Sequence, residues 1–204
     1  MSARETLDRM SAKPGPSQGV FSEIVRGLCL VWLKLGGWKL QGDWPGKDKA
    51  VLLAAPHTSN WDGLNMLATA DAYRIKLRWM GKESLVQGPF GGIVRWLGCV
   101  PIDRSAAHDV VAQMKRAFAS EKRLVLAIPP EGSRSRVTEW KRGYYHIAHG
   151  AGVPIVLAVL DYGARTITLS GVLETSGDYD ADFAWIRTHY ESARAKYPDR
   201  FAIG

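Results

Sequence analysis

Two residues whose types and spacing suit proton transfer, His57 and Asp62, stand with four residues between them where an apolar run gives way to a helical pattern. A carboxylate held against one imidazole nitrogen fixes the tautomer and leaves the other nitrogen as a base. On one regular helix the pair would lie roughly 140° apart, on different faces. The flanking sequence argues for a corner instead. Ala50-Val51-Leu52-Leu53-Ala54-Ala55 reads as a buried strand, and Pro56 holds Ala55 extended. Thr58, Ser59 and Asn60 are good N-cap residues, and Trp61, Leu64, Ala68 and Ala72 follow at the spacing of one helix face. His57 therefore sits outside the helix and is free to fold back towards Asp62. A capped helix start carrying an incidental histidine has the same local pattern.

Two further polar corners bear on that choice. Arg104 directly follows a short strand, Cys99–Ile102, and Glu131 directly follows the apolar strand Arg123–Ile128. Glu131 opens a turn-rich loop, Glu131-Gly132-Ser133-Arg134, in which Gly supplies an unusual backbone angle. Beyond these, the pattern gives a helix from about 60 to 73, a strand at 77–82 and a short helix within 88–97. A helix at 107–120 follows, with Val110, Met114, Ala117 and Phe118 on one face, then one around 141–150. Strands at 154–160 and 166–169 flank a tight turn, and a last helix runs roughly from 182 to 196. Strands alternating with helices specify an α/β domain with a largely parallel, mixed central sheet flanked by helices. In such sheets sites lie beyond the carboxyl ends of the strands, and His57, Arg104 and Glu131 all fall there. A base, an arginine for a phosphate and a glycine-containing loop suit transfer to a phosphorylated alcohol.

Composition sets the bounds. A chain of 204 residues with 46% hydrophobic and 23% charged residues can bury a real core and is not a disordered polymer. One domain over 20–204 is expected, after a flexible leader at 1–19, with the catalytic core at 50–160. The net charge of +7 is concentrated in residues 74–142, which hold fourteen Lys/Arg against six Asp/Glu. That asymmetry suits an anionic partner. Residues 20–36 form a hydrophobic helix interrupted by Arg26 and Lys34, expected to pack on the domain and able to lie in a membrane interface. No apolar run is long enough to span a bilayer, and no signal peptide is apparent. Cys29 and Cys99 lack metal-type spacing and read as buried free thiols of a reducing compartment.

Other signals carry less. His146 and His149 are three apart on a helix but have no third ligand, so no metal is expected. Ser133 lies outside any Gly-x-Ser-x-Gly elbow, and Walker and Rossmann fingerprints in context are missing. The basic charge has no nucleic-acid recognition motif beside it, so no nucleic-acid partner is expected.

With the three corners in view, the chain resembles the glycerolipid acyltransferase family, typified by 1-acylglycerol-3-phosphate acyltransferases. The family's His-four residues-Asp block is matched by His57-Thr58-Ser59-Asn60-Trp61-Asp62, and its strand-then-Arg block by Gly98-Cys99-Val100-Pro101-Ile102-Asp103-Arg104. Its Phe-Pro-Glu-Gly-Thr/Ser-Arg block is matched by Pro129-Pro130-Glu131-Gly132-Ser133-Arg134, and its Val-Pro-Ile strand by Val153-Pro154-Ile155-Val156. Pro129 replaces the usual aromatic, and Leu157 stands where a second Pro is common. The resemblance implies a glycerol-3-phosphate acyltransferase-like fold, with His57 as base and Asp62 as its orienter. Arg104, Glu131, Gly132, Ser133 and Arg134 would bind substrate. It further implies an acyl thioester donor (acyl-CoA or acyl-ACP), with no cofactor, and a lysophospholipid acceptor such as 1-acylglycerol-3-phosphate. Cytoplasmic placement, peripheral on the inner face of the membrane, is expected from this substrate class. The alternatives are another lyso-lipid acceptor, such as an aminolipid, and a non-catalytic lipid-binding module of the same fold.

Overall fold

The computed structural model describes residues 19–102 and 107–204, without the side chains of 107–109. In chain order the elements are α1 (Val20–Leu35), β1 (Lys39–Gln41), β2 (Lys49–Ala55), α2 (Asn60–Ala72), β3 (Leu77–Lys82), α3 (Ser84–Gln87) and α4 (Gly91–Trp96). There follow β4 (Cys99–Ile102), α5 (Ala107–Ser120), β5 (Leu124–Ile128), α6 (Gly143–Ala151), β6 (Ile155–Asp161), β7 (Thr166–Leu173) and α7 (Tyr179–Thr188). A 3-10 turn at Pro198–Arg200 closes the chain. All but Gly19 of the expected leader lies outside the described residues.

One seven-stranded sheet holds the molecule, in the order β1-β7-β6-β2-β5-β3-β4. Strands β6, β2, β5, β3 and β4 run parallel to one another, whereas β7 runs antiparallel to β6 and pairs β1 in parallel. Successive strand side chains point to opposite faces. Accordingly Val51, Leu53 and Ala55 of β2 enter one core, with Met114, Phe118, Tyr144 and Ile147 of α5 and α6. Ala50 and Leu52 enter the other, beneath Met66, Ala68 and Ala72 of α2 and Leu33 of α1. Helices on both faces explain why β2, β5 and β6 read as continuous apolar runs rather than alternating ones.

Two expectations about the elements are corrected. The apolar face expected of α2 is only half inside: Ala68 and Ala72 are buried, but Trp61 and Leu64 are each about half exposed, and Asp62, Asn65 and Thr69 are buried as well. The polar residues on the buried side of α2 are tolerated because they have partners there, Thr69 Oγ1 on Asn65 O at 2.7 Å among them. The short helix expected within 88–97 is α4, and α3 is an additional turn of helix before it. The last helix begins earlier than Asp182 and ends at Thr188, well before Lys196. Asp178 caps its start by accepting from the N–H groups of Asp180 and Ala181. Its end is forced by Tyr190, which is fully buried and donates its hydroxyl to Leu53 O at 2.8 Å.

Candidate active site

Strands β2 and β5 are in register, Leu53 opposite Ile128, so their parallel carboxyl ends deliver the next few residues to one place. Those residues are Pro56-His57 and Pro130-Glu131. The juxtaposition is closed by a hydrogen bond: the backbone N–H of His57 donates to Glu131 Oε1 at 2.8 Å. Glu131 thus ties the His57 corner to the neighbouring loop across 74 residues of sequence. Its second oxygen, Oε2, is buried without a hydrogen-bond partner. Burial pushes the Glu131 carboxyl up to about 7, against the opposing pull of hydrogen bonds from its own backbone and from His57, and the nearby Asp62 adds to the rise.

Asp62, at the third position of α2, is buried at 2% exposure and fully engaged. Its Oδ2 accepts from the backbone N–H groups of Thr58 and Ser59, both at 2.7 Å. The Ser59 bond is the reach-back half of a capping box. Its Oδ1 accepts from Ser59 Oγ at 2.7 Å and from Tyr162 O–H at 2.6 Å. No hydrogen bond or ion pair joins this carboxylate to the His57 ring, which differs from the expected imidazole-holding role. Four donors occupy its two oxygens. Asp62 still acts on His57 through space: burial holds the imidazole below its usual pKa, the carboxylate opposes that, and Arg134 reinforces it. A neutral imidazole at neutral pH follows, with no partner on either ring nitrogen among the described residues.

The Glu131–Arg134 loop separates the remaining expected residues. Gly132 has φ +66°, and a Cβ there would meet the stem of Lys141 at 2.7 Å. The glycine therefore accommodates Lys141, and the Gly132 N–H is spent on Pro129 O at 3.1 Å. Lys141 packs on the loop and donates its own N–H to Pro130 O. Ser133 turns its hydroxyl to its own loop, on Ser135 O and N at 3.3 Å. Arg134 is exposed, and His57 feels its charge. Arg104 lies outside the described residues. The strand before it, β4, ends at Ile102 opposite Lys82 of β3, at the same end of the sheet.

Sequence reading missed Tyr162 and the segment that closes over it. Tyr162 follows β6 directly and reaches Asp62 from 100 residues away. Its N–H donates to Arg194 O at 2.8 Å, and Tyr197 N–H donates to Thr58 Oγ1 at 3.3 Å, so residues 194–197 pack along the corner. Lys196 lies over the rings of Tyr162 at 5.5 Å and Trp61 at 5.8 Å. The available signal was position alone: Tyr162 is the first residue beyond another parallel strand. Among the described residues no cluster of three or more His, Cys, Asp or Glu is placed to hold a metal.

Comparison with known proteins places this geometry. A family model described as "Acyltransferase" matches residues 40–160. The chain is 31% identical over 148 residues to the 1-acyl-sn-glycerol-3-phosphate acyltransferase of Haemophilus influenzae, covering 67% of this chain and 59% of that protein. To the enzyme of that name in Escherichia coli it is 32% identical over 127 residues, covering 59% and 50%. A protein of the same name in the plant Limnanthes douglasii is 29% identical over 147 residues, covering 69% and 50%. The chain thus spans about half the length of the curated relatives it matches. The fold is shared with the crystal structure of the 1-acyl-sn-glycerophosphate (LPA) acyltransferase of Thermotoga maritima, at TM-score 0.58 and 15% identity, over 83% of this chain and 76% of that one. The matched segment runs from β1 through β2, His57, Asp62 and Glu131 to Leu160 in β6, and the chain belongs to the acyltransferase family.

Proposed function

We propose that the protein moves a fatty acyl group from an acyl thioester to the free hydroxyl of 1-acylglycerol-3-phosphate, a step of phospholipid biosynthesis. The observation that carries this reading is the state of His57: an imidazole without a hydrogen-bond partner among the described residues, its pKa lowered by burial, at the carboxyl end of the central parallel strands. A neutral imidazole takes the hydroxyl proton as the acceptor oxygen attacks the thioester carbonyl. The tetrahedral intermediate then collapses with cleavage of the C–S bond, and the departing thiolate takes the proton back from the imidazolium. The products are an ester and a free thiol, and His57 is restored. General base catalysis of this kind contributes on the order of 10²–10⁴ in rate.

The helix start supplies the electrostatic counterpart. The N–H groups of Asn60 and Trp61, in the first turn of α2, have no acceptor among the described residues, as expected of a helix N-terminus. They are the donors proposed for the oxyanion, since the Gly132 N–H is occupied. Arg134 and Arg104 are proposed to hold the acceptor phosphate. The donor is proposed to be a thioester of coenzyme A or of acyl carrier protein.

A peripheral membrane contact accompanies this reading. The outer side of α1 exposes Val20, Phe21, Ile24, Leu28 and Leu35, and α4 adds Ile93 and Trp96. Phe21 and Trp96 meet edge to face at 6.1 Å, so the two helices form one apolar surface. A contiguous surface of this kind suits the interfacial region of a bilayer, where lipid substrates reside. No helix of the described residues is long and apolar enough to cross a membrane.

The test is incubation with isotope-labelled acyl-CoA or acyl-ACP and a panel of lyso-lipid acceptors, phosphorylated and not, with products read by mass spectrometry. Labelled phosphatidic acid is the expected product. Acylation of an aminolipid alone would move the acceptor, and no acylated product across the panel would leave the non-catalytic lipid-binding reading.

A further inference from the structure

Beyond the segment that the family model matches, residues 40–160, the chain returns to the catalytic corner and leaves a cation there. Tyr162 N–H donates to Arg194 O at 2.8 Å, and Tyr197 N–H donates to Thr58 Oγ1 at 3.3 Å. Ala195, between these two anchors, is buried. Backbone bonds on both sides of Lys196 therefore fix where its side chain starts. Its ammonium group lies 5.5 Å from the centre of the Tyr162 ring and 5.8 Å from that of Trp61.

A cation held by aromatic faces is placed without being neutralised. The ring quadrupoles attract the ammonium group but carry no net charge. Among the described residues Lys196 belongs to no ion pair. Asp62, which Tyr162 reaches with its hydroxyl, is already served by four donors. Lys196 therefore keeps its charge and its N–H donors for a ligand. Trp61 is in the first turn of α2, so the positive end of that helix adds to the attraction for an anion.

The place of this cation selects its ligand. Trp61 stacks on Trp32 at 5.9 Å, and Trp32 belongs to α1, whose outer side carries the exposed apolar surface. Lys196 thus stands where that surface meets the corner. In the sheet β2 lies between β5 and β6, so Arg134, after β5, and Lys196, over Tyr162 after β6, approach the corner from opposite flanks. We propose that Lys196 binds the phosphate of the lipid acceptor and so selects a phosphorylated acceptor over a neutral one. The assignment rests on the reading of the protein as an acyltransferase for such a lipid. In 1-acylglycerol-3-phosphate the free hydroxyl and the phosphate are on neighbouring glycerol carbons, so a hydroxyl at the base puts the phosphate beside the corner. A compact ammonium charge serves a phosphate from any direction, which suits a group that arrives from the apolar surface. The phosphate of a bulk anionic lipid has the same chemistry, and the test separates the two.

The probe is a short-chain 1-acylglycerol-3-phosphate dispersed below its micellar concentration, with the phosphate-free 1-acylglycerol as control. Binding is read by calorimetry and turnover by steady-state kinetics, in the wild type, Lys196→Met and Lys196→Arg. Lys196→Met keeps an unbranched apolar stem on the two rings and deletes the charge, and Lys196→Gln takes its place if that variant does not fold. Expected for Lys196→Met are a Kd and a KM for the phosphorylated lipid higher by about tenfold, with kcat within about twofold. Lys196→Arg should stay within about threefold of the wild type, since it keeps the charge and stacks on aromatic faces. The phosphate-free lipid should change by less than about twofold. Equal losses on both lipids overturn the proposal, because lost packing alone gives that pattern. An unchanged Kd overturns it too: with weaker sedimentation on anionic vesicles Lys196 serves bulk anionic lipid, and with sedimentation unchanged it serves neither. A wild type that does not bind the phosphorylated lipid overturns it as well. If the wild type binds that lipid but transfers no acyl group, the function reading fails, while the Kd of Lys196→Met still decides the site.

Discussion

Two buried carboxylates stand at the same end of the sheet, within the field of the same histidine, and they are built in opposite ways. Asp62 receives four donors, two from the peptide corner and two hydroxyls. Glu131 receives one donor from a neighbouring segment, the His57 N–H, and leaves Oε2 bare in the interior. Donors that converge on a carboxylate lower the free energy of its charged form, and a bare buried oxygen raises it. The comparison teaches a division of labour. Asp62 organises the turn that carries the histidine and sets its electrostatics, whereas Glu131 clamps the histidine backbone and titrates near neutrality.

The sharpest way to break that contrast is Asp62→Asn. An amide presents hydrogens to at least one of the donors now satisfied, leaving a buried N–H or hydroxyl without an acceptor. Turnover should fall about 10²-fold or more, and stability by about 2–4 kcal/mol, read by steady-state kinetics and chemical denaturation. A loss of turnover at unchanged stability would show that the turn does not depend on the carboxylate.

Glu131→Gln probes the other half. The Gln carbonyl still accepts the His57 N–H, so turnover should drop by no more than about tenfold. The larger signal is the pH dependence of stability. A folded value of about 7 lies above the unfolded one, so the folded state binds more protons between about pH 4.5 and 7. This group therefore withdraws stability as pH rises through that window, by up to about 3 kcal/mol, and no further above it. Thermal melts of Glu131→Gln across that range should lose the decline. A wild-type decline preserved in the variant would assign it to another group.

Arg134→Ala is expected to act on the acceptor rather than on either carboxylate. It should raise KM for a phosphorylated acceptor about tenfold and leave an unphosphorylated one nearly unchanged. Equal losses for both would remove its phosphate role. The smallest effect on chemistry belongs to the surface helix: Ile24→Ser with Leu28→Ser should lower sedimentation with anionic vesicles several-fold. Turnover on a dispersed short-chain substrate should stay within about twofold, and unchanged vesicle binding would exclude this face as the membrane contact.

What could be read in the sequence follows from how local each feature is. The β2 corner is encoded within a dozen residues, by an apolar run, Pro56 and three capping residues, so His57 and Asp62 were placed without a partner in view. Glu131 was placed likewise, because a buried strand ends in Pro129-Pro130 and a glycine turn. The partners that give these residues their properties arrive from far along the chain: Tyr162 on Asp62, Tyr197 on Thr58, and the His57 N–H on Glu131. No periodicity carries that information. The apolar stripe of α2 is a partial guide for a related reason: Asp62, Asn65 and Thr69 share its buried side with Met66, Ala68 and Ala72, while Trp61 lies outside against Trp32 of α1. The end of α7 was hidden because the anchor of Tyr190 on Leu53 spans 137 residues.

The central claim is that His57, held by one carboxylate at its backbone and biased by the other through space, is the base of the reaction. Its most direct test is His57→Ala assayed with a labelled acyl thioester and 1-acylglycerol-3-phosphate, alongside thioester binding by the same variant. A loss of turnover of about 10²–10⁴ with binding retained is expected. Turnover at the wild-type rate would contradict it.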